Sequence, residues 1–289
     1  MPAIDYRTDI LRKLGELPPF SPVLQRVLAS LANDDLSYHE LGKQIEQDTV
    51  LAGNVLRLVN SAAYGRRGTV TAIPHAISVL GLNKLRNLIL SFSISKMWST
   101  TKPAPGWSHE RFNLHSLATA LVADGIAQHA DVEFAEGAFV AGLLHDFGKL
   151  LIAVSLPADY VEIVEMTKIS GRKWHECELG FLGESHSTYS ALAIERWNLP
   201  EPVQRGAAKH HEPEPRQGSL WPLSLTVATA DAVVNGLGHS VLPPESGDGS
   251  NSEAEVAQRV LEEAVGANAA ASIREDFERE FQAITNLIR

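Results

Sequence analysis

The sequence predicts an all-α fold, and three observations support that prediction. Apolar residues recur at the three- and four-residue spacing of one helix face in one stretch after another, and no convincing run of alternating apolar and polar residues indicates a strand. The hydrophobic fraction of 44% is typical of a chain that buries a core, which excludes a mostly disordered chain. The length of 289 residues favours about two domains.

The first hundred residues contain three helical stripes, which begin at Val23, Val50 and Leu82. Two prolines and a glycine then predict a connector over 101–106. We expect an N-terminal helical lobe, a second helical lobe packed against it, and a C-terminal segment. The predicted bounds are 1–106, 107–242 and 243–289.

The second lobe is predicted to contain three apolar helices, at about 111–128, 138–151 and 222–236. The proline-rich stretch 212–218 cannot be helical. The C-terminal segment begins with a polar linker, and a capping box of Ser252 and Glu255 then predicts a helix. The two helices expected there cover about 253–265 and 270–288.

The balance of charged residues limits the kinds of molecule that the protein is expected to bind. Lys plus Arg total 25 and Asp plus Glu total 35, which gives a net charge of −10 with histidine neutral. A protein that follows nucleic-acid phosphates needs a basic face, so no nucleic-acid partner is expected. A phosphorylated small molecule is still compatible, because a bound metal ion can override the overall field.

Cysteine content and hydropathy indicate the compartment. Cys177 is the single cysteine, so neither an internal disulfide nor a cysteine-based zinc site is expected. The start of the chain does not resemble a signal peptide, and inspection finds no run of about 18 apolar residues. We therefore expect a cytoplasmic protein with no membrane partner.

The predicted helix 138–151 contains two polar residues, His145 and Asp146, among apolar neighbours. A carboxylate is almost never fully buried without a partner, because its burial costs several kcal/mol or more. Two interpretations are open. Lys149, three residues further on, could pair with Asp146 on the same helix face, or a bound cation could compensate the charge.

The other two apolar helices repeat this feature, with His115 in the first and Asp231 in the last. A hydrogen-bonded core histidine is more common than a metal ligand, so each feature alone has an ordinary explanation. Three together favour a common site. His186 at a predicted helix start and the adjacent His210 and His211 add more imidazoles. Imidazole and carboxylate together suit iron, manganese, zinc or nickel.

These residues resemble a known pattern. His115, His145-Asp146 and Asp231 are similar to the H…HD…D motif of the HD superfamily of metal-dependent phosphohydrolases. Within it, the N-terminal motifs resemble the HDOD family, the HD-related output domains of bacterial signalling proteins. Those motifs are LPPFSP at 17–22, VNSAAYG at 59–65 and IPHAISVLG at 73–81. The resemblance covers about residues 12–240 and implies a multi-helical HD-like fold of two packed lobes.

The resemblance also implies a site for two divalent transition metal ions, with iron or manganese favoured over zinc or nickel. The first ion would be held by His115, His145, Asp146 and Asp231, and the second by His186, His210 and His211. Asp146 would bridge the two ions. Lys149 would neutralise a phosphate or orient a metal-bound water, which makes Asp146 and Lys149 the catalytic candidates.

The sequence differs from the related HD-GYP phosphodiesterases at two positions, and these differences limit the reactions and the number of metal ions to be expected. The GYP motif that should follow the paired histidines is missing, which argues against cyclic-di-GMP hydrolysis. Arg111 stands four residues before His115, where some of those enzymes place a glutamate ligand. A third metal is therefore not expected.

Three functions follow. The favoured one is a signalling output module that retains a dinuclear metal site and acts with a signalling protein partner. The alternative is an active phosphohydrolase for a phosphomonoester, nucleotide or cyclic nucleotide, and the third is a metal-free interaction scaffold. The sequence identifies neither the substrate, the input signal nor the oligomeric state.

Two N-terminal features receive structural interpretations. Gly65 is expected to close a helix, and a partner surface beside Arg66 and Arg67 is the alternative. His75 is expected to serve packing rather than metal ligation.

Overall fold

Helices provide the regular structure in the residues that the computed structural model describes, which are 5–17, 20–31, 38–64, 69–242 and 250–288. Within these ranges no strand forms, and only two isolated bridge pairs occur, Val132 with Trp221 and Gln217 with Leu220. The predicted all-α class is confirmed.

The N-terminal helices are α1 (Tyr6–Gly15), α2 (Pro22–Ala29), α3 (Tyr38–Gln47), α4 (Thr49–Val59), α5 (Ile73–Leu80) and α6 (Leu82–Trp98), with a 3-10 turn at Ala62–Tyr64. The next helices are α7 (His109–His129), α8 (Ala138–Leu144), α9 (Phe147–Ser155), α10 (Pro157–Ser170), α11 (Trp174–Leu182), α12 (His186–Arg196), α13 (Glu201–Ala208) and α14 (Leu223–Gly236). The chain ends with α15 (Ser250–Val265) and α16 (Ala267–Ile288), where two helices are predicted.

Side-chain caps explain where several helices begin. The Ser21 side chain accepts a hydrogen bond from the Leu24 amide at the start of α2. Asp48 caps α4 and Ser108 caps α7 in the same way. The cap of α7 sets the register of the helix that contains His115.

A row of aromatic rings joins the two predicted lobes. Phe20 packs on Trp197 at a centroid distance of 4.9 Å, and Trp197 packs on Phe147 at 5.0 Å. Phe147 then meets Trp98 at 5.1 Å, and Trp98 meets Phe112 on α7 at 5.5 Å. Because Phe147 follows Asp146 directly, this shared core lies next to the candidate site.

The helix predicted over 138–151 is in fact two helices. α8 ends at Leu144 and α9 begins at Phe147, with a turn at His145 and Asp146 between them. Asp146 leaves helical geometry at φ −98° and ψ 7°, and the Gly148 amide donates to the Ser190 hydroxyl of α12 at 2.8 Å. The first turn of α9 is thus held by α12, so the continuous-helix prediction is wrong.

The stretch Ala135–Ser155 has a mean hydropathy of 1.5 over its most apolar window and is long enough to cross a membrane. Inspection of the sequence for unbroken apolar runs did not identify it. In the structure 89% of that window is buried inside the fold, where it forms the central helices α8 and α9. The core of the fold therefore accounts for its hydrophobicity.

Some predictions concern residues outside the described ranges. These are the helix end at Gly65 with Arg66 and Arg67 and the linker over 243–249. Ser252 lies within α15, but its side chain is not described, so the predicted capping box stays a prediction. His75 is described and is exposed on α5, so it is not a core residue, but it lies outside both candidate metal clusters, in agreement with the prediction that it is not a ligand.

Candidate metal centre

The seven side chains predicted as metal ligands come together between five parts of the fold. His115 lies on α7, His145 and Asp146 in the turn between α8 and α9, His186 at the start of α12, His210 and His211 just after α13, and Asp231 on α14. Five of them are at most 3% exposed, namely His115, His145, Asp146, His186 and His210.

The first cluster contains His115, His145 and Asp146. The two Nε2 atoms are 3.3 Å apart, and Asp146 Oδ2 lies 3.2 Å from His115 Nε2 and 3.5 Å from His145 Nε2. Ligand atoms about 2.1 Å from a tetrahedral ion lie about 3.4 Å from one another, so these spacings suit one ion. Asp231 Oδ1 lies 3.3 and 3.6 Å from the same two nitrogens.

The second cluster contains His186, His210 and His211. His186 Nε2 lies 2.9 Å from His211 Nε2. The other oxygen of Asp146, Oδ1, lies 3.1 Å from His186 Nε2 and 3.7 Å from His210 Nε2. Asp146 therefore directs one carboxylate oxygen to each cluster.

Backbone carbonyls orient three of the imidazoles. His115, His145 and His210 each donate their Nδ1 proton at 2.7 Å, to the carbonyl oxygens of His239, Gly142 and Ala207 respectively. A carbonyl can only accept, so each Nδ1 carries a proton and Nε2 is the nitrogen left to bind a metal. Metal-binding histidines are typically held in this way by an acceptor behind the ring.

Glu178 orients His186. It is fully buried on α11, and its Oε2 accepts hydrogen bonds from the His186 backbone amide at 2.8 Å and from Nδ1 at 2.5 Å. Burial opposes a charge on His186, but Glu178 outweighs it and raises the pKa of the ring. Sequence analysis missed Glu178. The available signal was a carboxylate within the mostly apolar helix 174–182, the same kind that drew attention to Asp146.

Lone pairs face one another across the buried centre. Among the described residues, His210 Nε2 and Asp146 Oδ1 have no hydrogen-bond partner. His186 Nε2 also faces Asp146, 3.1 Å from the same Oδ1. A buried polar atom without a partner costs about 1–3 kcal/mol, and a cation between these atoms would satisfy them together. The donor set therefore fits a metal.

Lys149 forms the ion pair that its spacing allows, with Nζ 2.6 Å from Asp146 Oδ2. Burial would raise the pKa of Asp146, but the neighbouring His145, Lys149 and His186 hold it well below the usual range. Asp146 is therefore a carboxylate at neutral pH. Its Oδ2 contacts both Lys149 and the first cluster.

The histidines differ in charge. Burial lowers the pKa of a histidine, but hydrogen bonds and charge from Asp146 and Asp231 raise that of His115 to about 9. Burial and the nearby His145 lower the pKa of His210 to about 3. His210 is thus a neutral donor at pH 7, whereas His115 carries a second proton when no metal is bound.

His175 adds a further imidazole that sequence analysis missed. Its ring stacks on His211 with centroids 3.9 Å apart and planes 16° apart, and both rings are partly exposed. The side chains of Asp231 and Lys149 are 19% and 12% exposed. These partly exposed residues are where the otherwise buried cluster meets solvent.

Comparisons with known proteins support the same fold. The HDOD domain family matches residues 17–213. An uncharacterized protein of Treponema pallidum (strain Nichols) is 26% identical over 229 residues, which is 78% of this chain and 44% of that protein. The chain thus spans less than half of that relative's length.

Two solved structures cover nearly the whole chain. An HDOD domain protein of unknown function from Geobacter sulfurreducens superposes with a TM-score of 0.73 at 22% identity, over 97% of both chains. A protein from Shewanella amazonensis SB2B named "Putative phosphohydrolase" superposes with a TM-score of 0.71 at 19% identity, over 97% of this chain and 98% of that one. At these identities the likeness establishes the fold alone.

Proposed function

We propose that this chain, which belongs to the HDOD family, is a bacterial signal-transduction output module built around a centre for two metal ions. The observation that carries the proposal is the position of Asp146, with one buried carboxylate oxygen facing each histidine cluster. A carboxylate in this position suits a bridge between two cations, which also agrees with the lone pairs around it.

The candidate ligands divide between two ions. One would be held by His115, His145, Asp146 and Asp231, and the other by His186, His210, His211 and the shared Asp146. Nitrogen and oxygen donors favour iron or manganese, with zinc and nickel as alternatives. Two bound metal ions of this kind supply a site that activates water and clamps a phosphate.

The burial of the candidate metal centre favours a signalling module over an enzyme that acts on large substrates. His145, Asp146 and His186 are 0% exposed, and solvent reaches the cluster beside the partly exposed Lys149, Asp231 and His211. An enclosed centre of this kind suits a metal ion that stabilises or reports a conformation. Its state would be read by a signalling protein partner.

A phosphohydrolase is the second candidate, and Lys149 is the observation that favours it. A partly exposed lysine 2.6 Å from the Asp146 carboxylate would place a positive charge where a phosphate oxygen could bind beside the ions. The small opening restricts this alternative to a compact phosphorylated molecule.

The deciding experiment measures bound metal and phosphoester hydrolysis in the same purified protein. We expect two metal ions per chain in the wild type, strong loss of metal in Asp146→Ala, and no loss in the exposed control Asp131→Ala. Turnover of a phosphoester that disappears in Asp146→Ala would establish the enzyme. Two ions without turnover support the module, and a wild type that binds no metal leaves only the scaffold.

A further inference from the structure

The C-terminal helix α16 touches both predicted lobes. It packs along α7, the helix that contains His115, and against α15. It also contacts α4 and the turn at Ala62–Tyr64 in the N-terminal part. The HDOD match ends at residue 213, so α16 lies beyond the segment that the family comparison covers.

One contact leads from α16 directly to a candidate ligand. The ring of His239 packs against Phe281 at a centroid distance of 4.7 Å and against Phe277 at 6.3 Å. The backbone carbonyl of His239 accepts the Nδ1 proton of His115 at 2.7 Å. The same residue therefore contacts α16 with its ring and the site with its backbone.

The backbone at His239 is held from two directions. Its amide donates to the Val234 carbonyl at 3.1 Å, and the preceding Gly238 has a φ of 82°, which favours glycine. The ring rests on α16. Because the chain turns sharply here, the position of the His239 carbonyl depends on where its ring is held.

A second contact brings α16 close to α7. Gly125 lies on α7, and a Cβ added there would come within 2.9 Å of the Ile273 side chain. Ile273 is 2% exposed, so α16 is pressed firmly against the helix that presents His115. α16 thus packs both on His239, which holds the acceptor of this hydrogen bond, and on α7, the helix that contains its donor His115.

We propose that α16 is a positioning element of the metal centre, in which Phe277 and Phe281 hold His239 so that its carbonyl directs His115 Nε2 toward the ion. The proposal rests on the proposed function, in that it requires the first cluster to bind metal. His239, Phe277 and Phe281 touch no ion themselves and act through His115.

The same helix links the centre to the N-terminal part. Lys84 of α6 forms an ion pair with Glu280 of α16, and α16 also packs on the turn at Ala62–Tyr64. Coupling between two sites is reciprocal, so whatever stabilises His115 in its metal-binding direction also stabilises the docking of α16. Metal occupancy and the packing of the N-terminal part are therefore coupled through α16.

The test is a titration of the purified 289-residue chain with Mn²⁺ in wild type, His239→Ala and Phe281→Ala. His239→Ala keeps the backbone carbonyl and removes only the ring contact. Because the carbonyl is kept and only its position is loosened, we expect the affinity for one of the two ions to fall about 10-fold, the lower end of the loss that follows removal of the acceptor behind a metal-binding histidine. The affinity for the other ion should be unaffected. His239→Phe should restore most of the affinity, and Glu275→Ala on the exposed side of α16 should match the wild type.

Hydrogen exchange provides a second, independent measurement. Mn²⁺ should slow exchange along 273–284 in the wild type, and His239→Ala should abolish that effect. The inference would be overturned if both Ala variants bound Mn²⁺ with the affinity of the wild type, or if Mn²⁺ did not change the hydrogen-exchange rate of α16. Neither result would contradict the proposed metal centre. A wild type that binds no Mn²⁺ and contains no metal would instead overturn the proposed function, and the inference with it.

Discussion

The direction of the imidazoles distinguishes this cluster from a group of ordinary core histidines. His115, His145 and His210 place their Nδ1 protons on backbone carbonyls, and His186 places its own on Glu178. A core histidine in a purely structural role usually has both nitrogens satisfied. Here four Nε2 atoms turn inward to the same carboxylates, and this shared direction supports a metal more strongly than the number of histidines does.

Glu178 offers a specific test of the second cluster. In Glu178→Gln the ring of His186 loses its charged acceptor, so its Nε2 becomes a weaker donor to metal. We expect a loss of about 10- to 100-fold in affinity for one ion, measured by metal titration. Glu176→Gln on the same helix, where the side chain is 42% exposed, is the matched control. Equal affinities in Glu178→Gln and wild type would contradict the role assigned to Glu178.

The charge of His115 predicts that metal uptake releases a proton. Its pKa of about 9 without metal means that the ring is protonated at pH 7.5, and the ion must displace the Nε2 proton. Affinity should therefore rise with pH by about tenfold per unit up to pH 9 and then level off. His210, with a pKa of about 3, adds no proton in that window.

Calorimetry in buffers of different ionisation enthalpy measures this release directly. The apparent heat of Mn²⁺ binding at pH 7.5 should vary with the buffer in proportion to at least one proton, since the pKa of His186 is raised as well as that of His115. Heats that are the same in every buffer would show that His115 is already neutral in the metal-free protein.

At the scale of helices, two glycines allow pairs of helices to cross closely enough to bring the candidate ligands together. A Cβ on Gly142 of α8 would lie 2.8 Å from Ala120 Cα, so α7 and α8 cross in near contact and bring His115 to His145. A Cβ on Gly148 would lie 2.0 Å from the carbonyl oxygen of His186. The first turn of α9 therefore lies directly on the start of α12, which brings Asp146 next to His186.

Gly148→Ala should accordingly separate α9 from α12. Because the clash is with backbone, we expect a destabilisation at or above the usual 1–3 kcal/mol for overpacking, with loss of metal from the second cluster. Urea unfolding and metal analysis measure the two effects.

The matched control is Gly180→Ala on α11, where an added Cβ meets nothing within 4 Å. Better helix propensity should make that variant as stable as the wild type or more so, by up to about 1 kcal/mol. A Gly148→Ala protein as stable and as metal-rich as Gly180→Ala would show that α9 and α12 need not touch.

Over the whole molecule, two connections tie the N-terminal part to the site. The aromatic row from Phe20 to Phe112 passes through Phe147, the residue after Asp146. On the other side, α16 joins α7 to α4 and to the turn before residue 65. A signalling module needs such connections, because a change at one place has to alter the surface elsewhere.

The features that were predicted correctly from the sequence are those that depend on the pattern of neighbouring residues. Helical periodicity and burial of apolar faces are short-range properties, so the all-α class and most helices were recognisable. Asp146 and Asp231 stood out because a carboxylate in an apolar helix requires compensation. The family resemblance then grouped the seven candidate ligands, and the structure brings those side chains together.

The tertiary structure alone decided the break at His145 and Asp146, because the periodicity of 138–151 continues through it and only the contact with α12 interrupts the helix. It also decided the direction of each imidazole. The acceptor for His115 is a backbone carbonyl 124 residues away, and a backbone carbonyl has no sequence signature. The candidate ligands are therefore recognisable from side-chain chemistry in the sequence, whereas the direction of each side chain depends on helix packing, which only the tertiary structure gives.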